Sequence, residues 1–157
     1  MRTAKVLLAV ALCLVLFSCT KESYDVTQTI ALPFVRTDGT MGLSLYVLPQ
    51  STTDKGSVSS AQMTVRSPEG NLSWSFEAKR VKHDGLQYLG SSDIFMPEGL
   101  ELPKGKWSAE VIFQESNTVD LTFDVSFTDV ASALDRFRES GSEAPWFDEK
   151  SNLTVID

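Results

Sequence analysis

The chain carries one histidine, His83, and two cysteines, Cys13 and Cys19, in 157 residues. That scarcity removes most site chemistry at once. A zinc site needs three or four His, Cys or carboxylate ligands. A serine triad would have to use His83 as its base, and its neighbours Lys82 and Asp84 place His83 in an exposed turn. No serine stands in a Gly-x-Ser-x-Gly elbow, and no glycine-rich phosphate loop opens a helix. Long apolar runs are missing too. The longest, Val6 to Phe17, is shorter than the roughly 20 residues a membrane-spanning helix needs.

Carboxylates are the one titratable type in surplus, with 21 Asp+Glu against 14 Lys+Arg. So many acids make chance pairs common, and the sequence singles out none as a glycosidase pair. Asp120 and Asp124 share a strand face with Thr122 between them. They read as a solvated face, two carboxylates against the six to eight oxygens calcium takes. Lys79-Arg80-Val81-Lys82 is the one basic cluster. It reads as a solvated loop, the alternative being a patch for an anionic partner. The acidic balance argues against nucleic acid, whose phosphates it repels.

The N-terminus holds the most specific signal. Arg2 and Lys5 precede the apolar run, and Leu16-Phe17-Ser18-Cys19 closes it. A charged segment, a short apolar segment and a small residue before the cut describe a secretory signal peptide. The last four residues resemble the lipobox of bacterial lipoprotein precursors. The resemblance implies cleavage before Cys19 and a lipid anchor on its sulfur, with fatty acyl chains such as palmitate. It further implies a home in the bacterial cell envelope, facing the periplasm or the exterior. Thr20, in place of Asp after the cysteine, is compatible with the outer-membrane sorting of such lipoproteins in enteric bacteria, and the outer membrane is the expected location. A signal peptide cleaved elsewhere is the alternative.

Cleavage before Cys19 leaves 139 of the 157 residues, enough for one domain with one core. Loss of Arg2 and Lys5 takes Lys+Arg from 14 to 12 against 21 acids, a net charge of −9. Cys13 leaves with the signal and Cys19 is consumed by lipid. No intrachain disulfide or thiolate chemistry is then available, and acyl chains rather than surface charge hold the protein on its membrane.

Past a tether (residues 19–24), period-2 alternation dominates. Val26, Gln28, Ile30, Leu32 and Phe34 fall on one face of a first strand, with Thr27, Thr29 and Ala31 on the other. Pro33 marks an edge position or the strand's end. Met41, Leu43, Leu45 and Val47 form a second strand, followed by a polar loop from Pro49 to Ser60. Ala61, Met63 and Val65 pair across the Ser67-Pro68-Glu69-Gly70 turn with Leu72, Trp74, Phe76 and Ala78. Lys79 to Gly85 reads as a charged connection, Leu86 to Leu89 as a short strand, and Ser91 to Gly105 as an irregular crossing loop.

A hairpin follows, from Trp107-Ala109-Val111-Phe113 to Val119-Leu121-Phe123-Val125-Phe127. Asp129 can cap a helix to Ser140, with Val130, Ala133, Leu134 and Phe137 along one stripe. A last strand spans Leu153 to Ile156. These signals predict an all-β antiparallel sandwich over 25–128 and a short helix with a tail over 129–157.

Leu102-Pro103-Lys104-Gly105-Lys106-Trp107 resembles the run into a late hairpin of immunoglobulin-like and transthyretin-like modules. In those modules the aromatic residue plugs the core. The order of Pro68-Glu69-Gly70, Leu89-Gly90 and this hairpin is similar to the gliding-motility lipoprotein H family of Bacteroidetes. The aromatic- and asparagine-rich early strands of that family are missing here.

The expected function is that of a membrane-anchored binding or accessory module of an envelope assembly, without catalysis or cofactor. Another envelope protein is the expected partner. A carbohydrate-binding variant would need exposed, coplanar aromatics, and a lipid-anchored hydrolase would need a pocket of perturbed acids. Trp74, Phe76, Trp107, Phe113, Phe123 and Phe127 lie in phase with the strands and read as core. Trp146 and Phe147, after Pro145, either fold back and bury or form a partner contact, with burial preferred.

Overall fold

A computed structural model describes residues 23–52, 58–113 and 117–157. The signal segment and Cys19 lie outside the described residues. Among the described residues ten strands and one helix follow in order. The strands are β1 (Tyr24–Arg36), β2 (Met41–Ser51), β3 (Ala61–Arg66), β4 (Ser73–Glu77), β5 (Lys79–His83) and β6 (Leu86–Phe95), then β7 (Gly105–Phe113) and β8 (Asn117–Val125). The helix α1 (Val130–Ser140) precedes β9 (Trp146–Asp148) and β10 (Leu153–Ile156). They form a six-stranded sheet, β5-β6-β2-β1-β10-β9, facing a four-stranded sheet, β4-β3-β7-β8. The architecture is an all-β sandwich.

Apolar residues at every second position line the space between the sheets. Leu43, Leu45 and Val47 from one sheet meet Met63, Val65, Trp107, Val111 and Phe113 from the other, all with no exposure. Trp107 is the centre of this layer. Its ring stacks between Trp74, at 5.7 Å, and Phe123, at 6.5 Å, and its Nε1 donates to the Pro103 carbonyl at 2.9 Å. The Pro103-Lys104-Gly105 run thus holds the ring it precedes. Trp74 and Phe76 are half-buried against the same cluster.

Four local expectations change. In β1, pairing with β2 slips between Val26 and Gln28. The extra residue, Thr27, is a β-bulge, and a one-residue slip sends every later side chain to the opposite face. Ala31 and Val35 therefore reach the core, whereas Leu32 points outward at 45% exposure. The stretch Lys79 to His83 is an edge strand rather than a connection, antiparallel to β6 and exposed along its length. An edge lined with cations discourages pairing with another chain. Ser91 to Phe95 continues β6 instead of opening a loop, across a second register slip opposite Leu43 and Leu45. Pro49 to Ser51 likewise continue β2, opposite Tyr24 to Val26.

One strand pair is parallel. The chain leaves β8 in the smaller sheet, crosses through α1 and returns beside the end of β1, where Phe34 to Arg36 meet Thr154 to Ile156. Pro33 sits just before that contact, paired with β2 on one side only, where its missing N–H costs no ladder bond. Asp129 caps α1 as expected, its carboxylate accepting from Ser132 N–H at 3.0 Å, and Gly141 ends the helix at φ 63°.

Candidate functional site

The strand directions give the sandwich two unlike poles. At one, the chain enters the fold at Tyr24, which is 3% exposed. Tyr24 N–H donates to Asn117 Oδ1 at 2.9 Å, and Asn117 Nδ2 donates back to the Tyr24 carbonyl at 2.8 Å. The Tyr24 ring packs 5.5 Å from Phe113. These contacts clamp the start of β1 onto the β7–β8 end of the other sheet. Tyr24 thus opens the first described strand, and five extended residues from Cys19 span at most about 18 Å.

The opposite pole holds a cleft of about 780 Å³ between the β1–β2 turn, the β6–β7 loop and the start of α1. Met41, Met96 and Val130 form its apolar side. Asp38, Glu98 and Glu101 supply carboxylates, and Leu100 stands at the rim with 51% exposure. Asp38 is held below the usual carboxylate range, chiefly because Thr40 N–H donates to its Oδ1 at 2.8 Å. The cleft combines negative charge with accessible apolar surface, a pairing that suits a segment carrying a cation beside an apolar side chain.

A second apolar feature lies on the outer face of the larger sheet. The Phe34 ring meets the Phe95 ring edge-on at 5.4 Å above Gly42. A β-carbon at Gly42 would run into Phe34, so only glycine leaves room for this pair. Leu32, Ile156 and Thr154 complete a cleft of about 280 Å³ there, and the Arg36 guanidinium lies over Phe95 at 6.0 Å.

Trp146 and Phe147 divide between two roles. Trp146 is half-buried, its ring 5.9 Å from Phe137 of α1, and Phe147 points outward at 51% exposure. Strand alternation forces the split, since neighbours in β9 face opposite ways. His83 ends β5, its Nε2 3.5 Å from the Asp84 carboxylate, both well exposed. Asp120 and Asp124 point to solvent from β8. Among the described residues no group of three or more His, Cys, Asp or Glu is placed to hold a metal ion.

One buried polar network of the fold escaped the sequence reading. Asp148, 5% exposed on β9, takes the Arg136 guanidinium of α1 on both oxygens and accepts Ser151 N–H at 3.1 Å. Ser151 N–H and Arg136 thereby hold its carboxyl below the ordinary range, the Arg136 hydrogen bond being the larger cause. Thr128 N–H donates to the Ser151 carbonyl at 2.9 Å, and Asn152 Nδ2 to the Ser126 carbonyl at 2.7 Å. This network fastens the tail under the helix. Arg136 and Asp148 share no motif spacing, so nothing short of the folded tail joins them.

Comparison with known proteins finds no matching family model, no matching curated protein and no matching solved structure.

Proposed function

We propose that this chain is a lipid-anchored lipoprotein of the bacterial envelope whose sandwich serves as a binding or accessory module for another envelope protein. The observation that carries the reading is the short separation in sequence between the lipobox cysteine, Cys19, and Tyr24, the buried first residue of β1. A tether that short keeps the Tyr24 pole near the bilayer and turns the Asp38–Leu100 cleft away from it. The outward pole is then the accessible one for a partner. Its acidic and apolar lining suits a basic, partly apolar segment of that partner, as charge complementarity steers encounter and apolar anchors supply affinity. The late hairpin with its buried Trp107 resembles that of immunoglobulin-like and transthyretin-like modules, a likeness that supports the fold and not an activity.

A photoreactive residue at Leu100 in the full chain tests this in intact envelopes. The native chain is expected to be processed to a diacylated Cys19 by intact mass, to enter the detergent phase, and to crosslink to one defined envelope protein. Cys19→Ser should leave an uncleaved precursor or a released chain, and the crosslink should disappear with it. A Cys19→Ser chain that still enters the detergent phase with its signal removed would sink the anchorage. An anchored native chain without a crosslink at Leu100 would sink the binding role of the cleft.

A further inference from the structure

The charged run Lys79 to Lys82 has no part in the outward cleft, and its position in the fold gives it another task. It forms β5, the outer edge of the larger sheet, and the β5–β6 hairpin projects past Val47–Leu89, the last pair joining β6 to β2. The hairpin end lies at the pole where the chain enters. Gly85 and Leu86 line one small cleft with Pro49, Ser51 and Val58, and Ser51 is the partner of Tyr24 across the β1–β2 ladder.

This end presents cations and apolar side chains together. Arg80 and Lys82 are exposed, and Lys82 makes no hydrogen bond or ion pair among the described residues. Arg80 spends only its Nε on the Ser59 carbonyl, at 2.9 Å. Lys79 is partly neutralised by Asp93 at 2.9 Å, and Asp84 after β5 and Glu77 before it are the carboxylates adjacent in the chain. Val81 and Leu86 stand 38% and 45% exposed on the opposite face of the same hairpin. Three of the 21 acids, Asp38, Glu98 and Glu101, line the cleft at the other pole. Eleven residues of β2 separate the two ends, about 35 Å at the rise of a strand. Charges there are screened over about 8 Å at physiological salt, so the distant acids do not cancel the hairpin's field.

We infer that the β5–β6 hairpin is a foot that rests on anionic phospholipid headgroups of the leaflet holding Cys19, with Arg80 and Lys82 on the phosphates and Leu86 at the headgroup boundary. The inference rests on the lipid-anchored reading. A second contact beside the lipid anchor would fix the tilt of the sandwich and hold the acidic cleft outward.

The test uses the lipidated chain in vesicles, with an environment-sensitive fluorophore on Leu86→Cys and, in a second sample, on Leu100→Cys. In vesicles rich in phosphatidylglycerol the Leu86 probe should be quenched by spin label carried at headgroup depth, and the Leu100 probe should not. Each cation near an anionic surface favours contact by about fivefold, so Arg80→Ser with Lys82→Ser should reduce headgroup occupancy roughly thirtyfold. High salt or neutral phosphatidylcholine should do the same. Equal quenching at the two sites, or quenching at Leu86 indifferent to lipid charge and to the double substitution, overturns the proposal. Holding the mature chain on nickel-chelating lipid through an N-terminal polyhistidine segment repeats the comparison without Cys19 lipidation. Failure of the foot and failure of the anchor are thereby read separately.

Discussion

Trp107 has no exposed surface and two aromatic rings against its faces, so truncating it leaves a large hole between the sheets. Trp107→Ala should lower stability by about 3–5 kcal/mol, the range for losing a buried large aromatic. Against the roughly 5–15 kcal/mol of a typical domain, that is severe. A urea midpoint shift worth under about 1 kcal/mol would contradict a core role for the ring. Asp148 acts differently, through charge. Its carboxyl is depressed by Arg136 first and by Ser151. Such a group contributes stability that is complete above its unfolded value near pH 4 and fades as pH falls through the lower folded value. Asp148→Asn should therefore cost about 1–3 kcal/mol at neutral pH, as hydrogen bonds to a charged group are lost. The cost should shrink as urea titrations move below about pH 4, where the unfolded-state carboxyl begins to protonate, and vanish below the lower folded value. A cost that stays constant down that acid limb would show that the ion pair does not link pH to folding.

Among the elements, β10 decides whether the tail is fold or appendage. It buries Leu153 and Val155 completely and pairs with β1, and β9 adds Trp146 against Phe137. Burying two such aliphatic side chains is worth about 3–6 kcal/mol. Truncation after Ser140 removes them, together with the Asp148 partner of Arg136. The shortened chain should unfold or lose most of its urea resistance. A truncated chain as stable as the full one would make the last strands dispensable. Element by element, the sequence was most legible where both strands of a hairpin alternate cleanly. The β7–β8 ladder runs in unbroken register from Gly105–Val125 to Phe113–Asn117. The β3–β4 hairpin closes at the turn expected for Pro68 and Gly70, with Gly70 N–H donating to the Ser67 carbonyl at 2.9 Å. It was least legible in β5, where five exposed residues carry no apolar alternation to announce a strand.

At the scale of the whole molecule, polarity is the property that links fold to proposed function. One pole receives the chain and carries the basic hairpin, and the other gathers carboxylates around an apolar cleft. The arrangement arises because β1 runs unbroken from Tyr24 to Arg36 and separates the chain entry from the cleft by the length of a strand. No covalent bond between the sheets is needed for this. Trp107 and the residues it touches bind the two sheets, and the Arg136–Asp148 pair closes the end where the chain changes sheets.

The sequence by itself determined the class of the fold, most of its strands, the helix with its Asp129 cap and the aromatic core around Trp107. Each of these depends on local signals, namely the period of apolar residues, turn chemistry and capping, which act over a few neighbouring positions. Only the tertiary structure decided which face Ala31 and Leu32 would take, because a bulge at Thr27 is set by the match to a distant partner strand. It also decided that β10 lies parallel beside β1, that Asp148 meets Arg136, and that carboxylates from two separate segments share one cleft. Those contacts join residues far apart in the chain, and their geometry follows from how two twisted sheets stack, which no short stretch of sequence encodes.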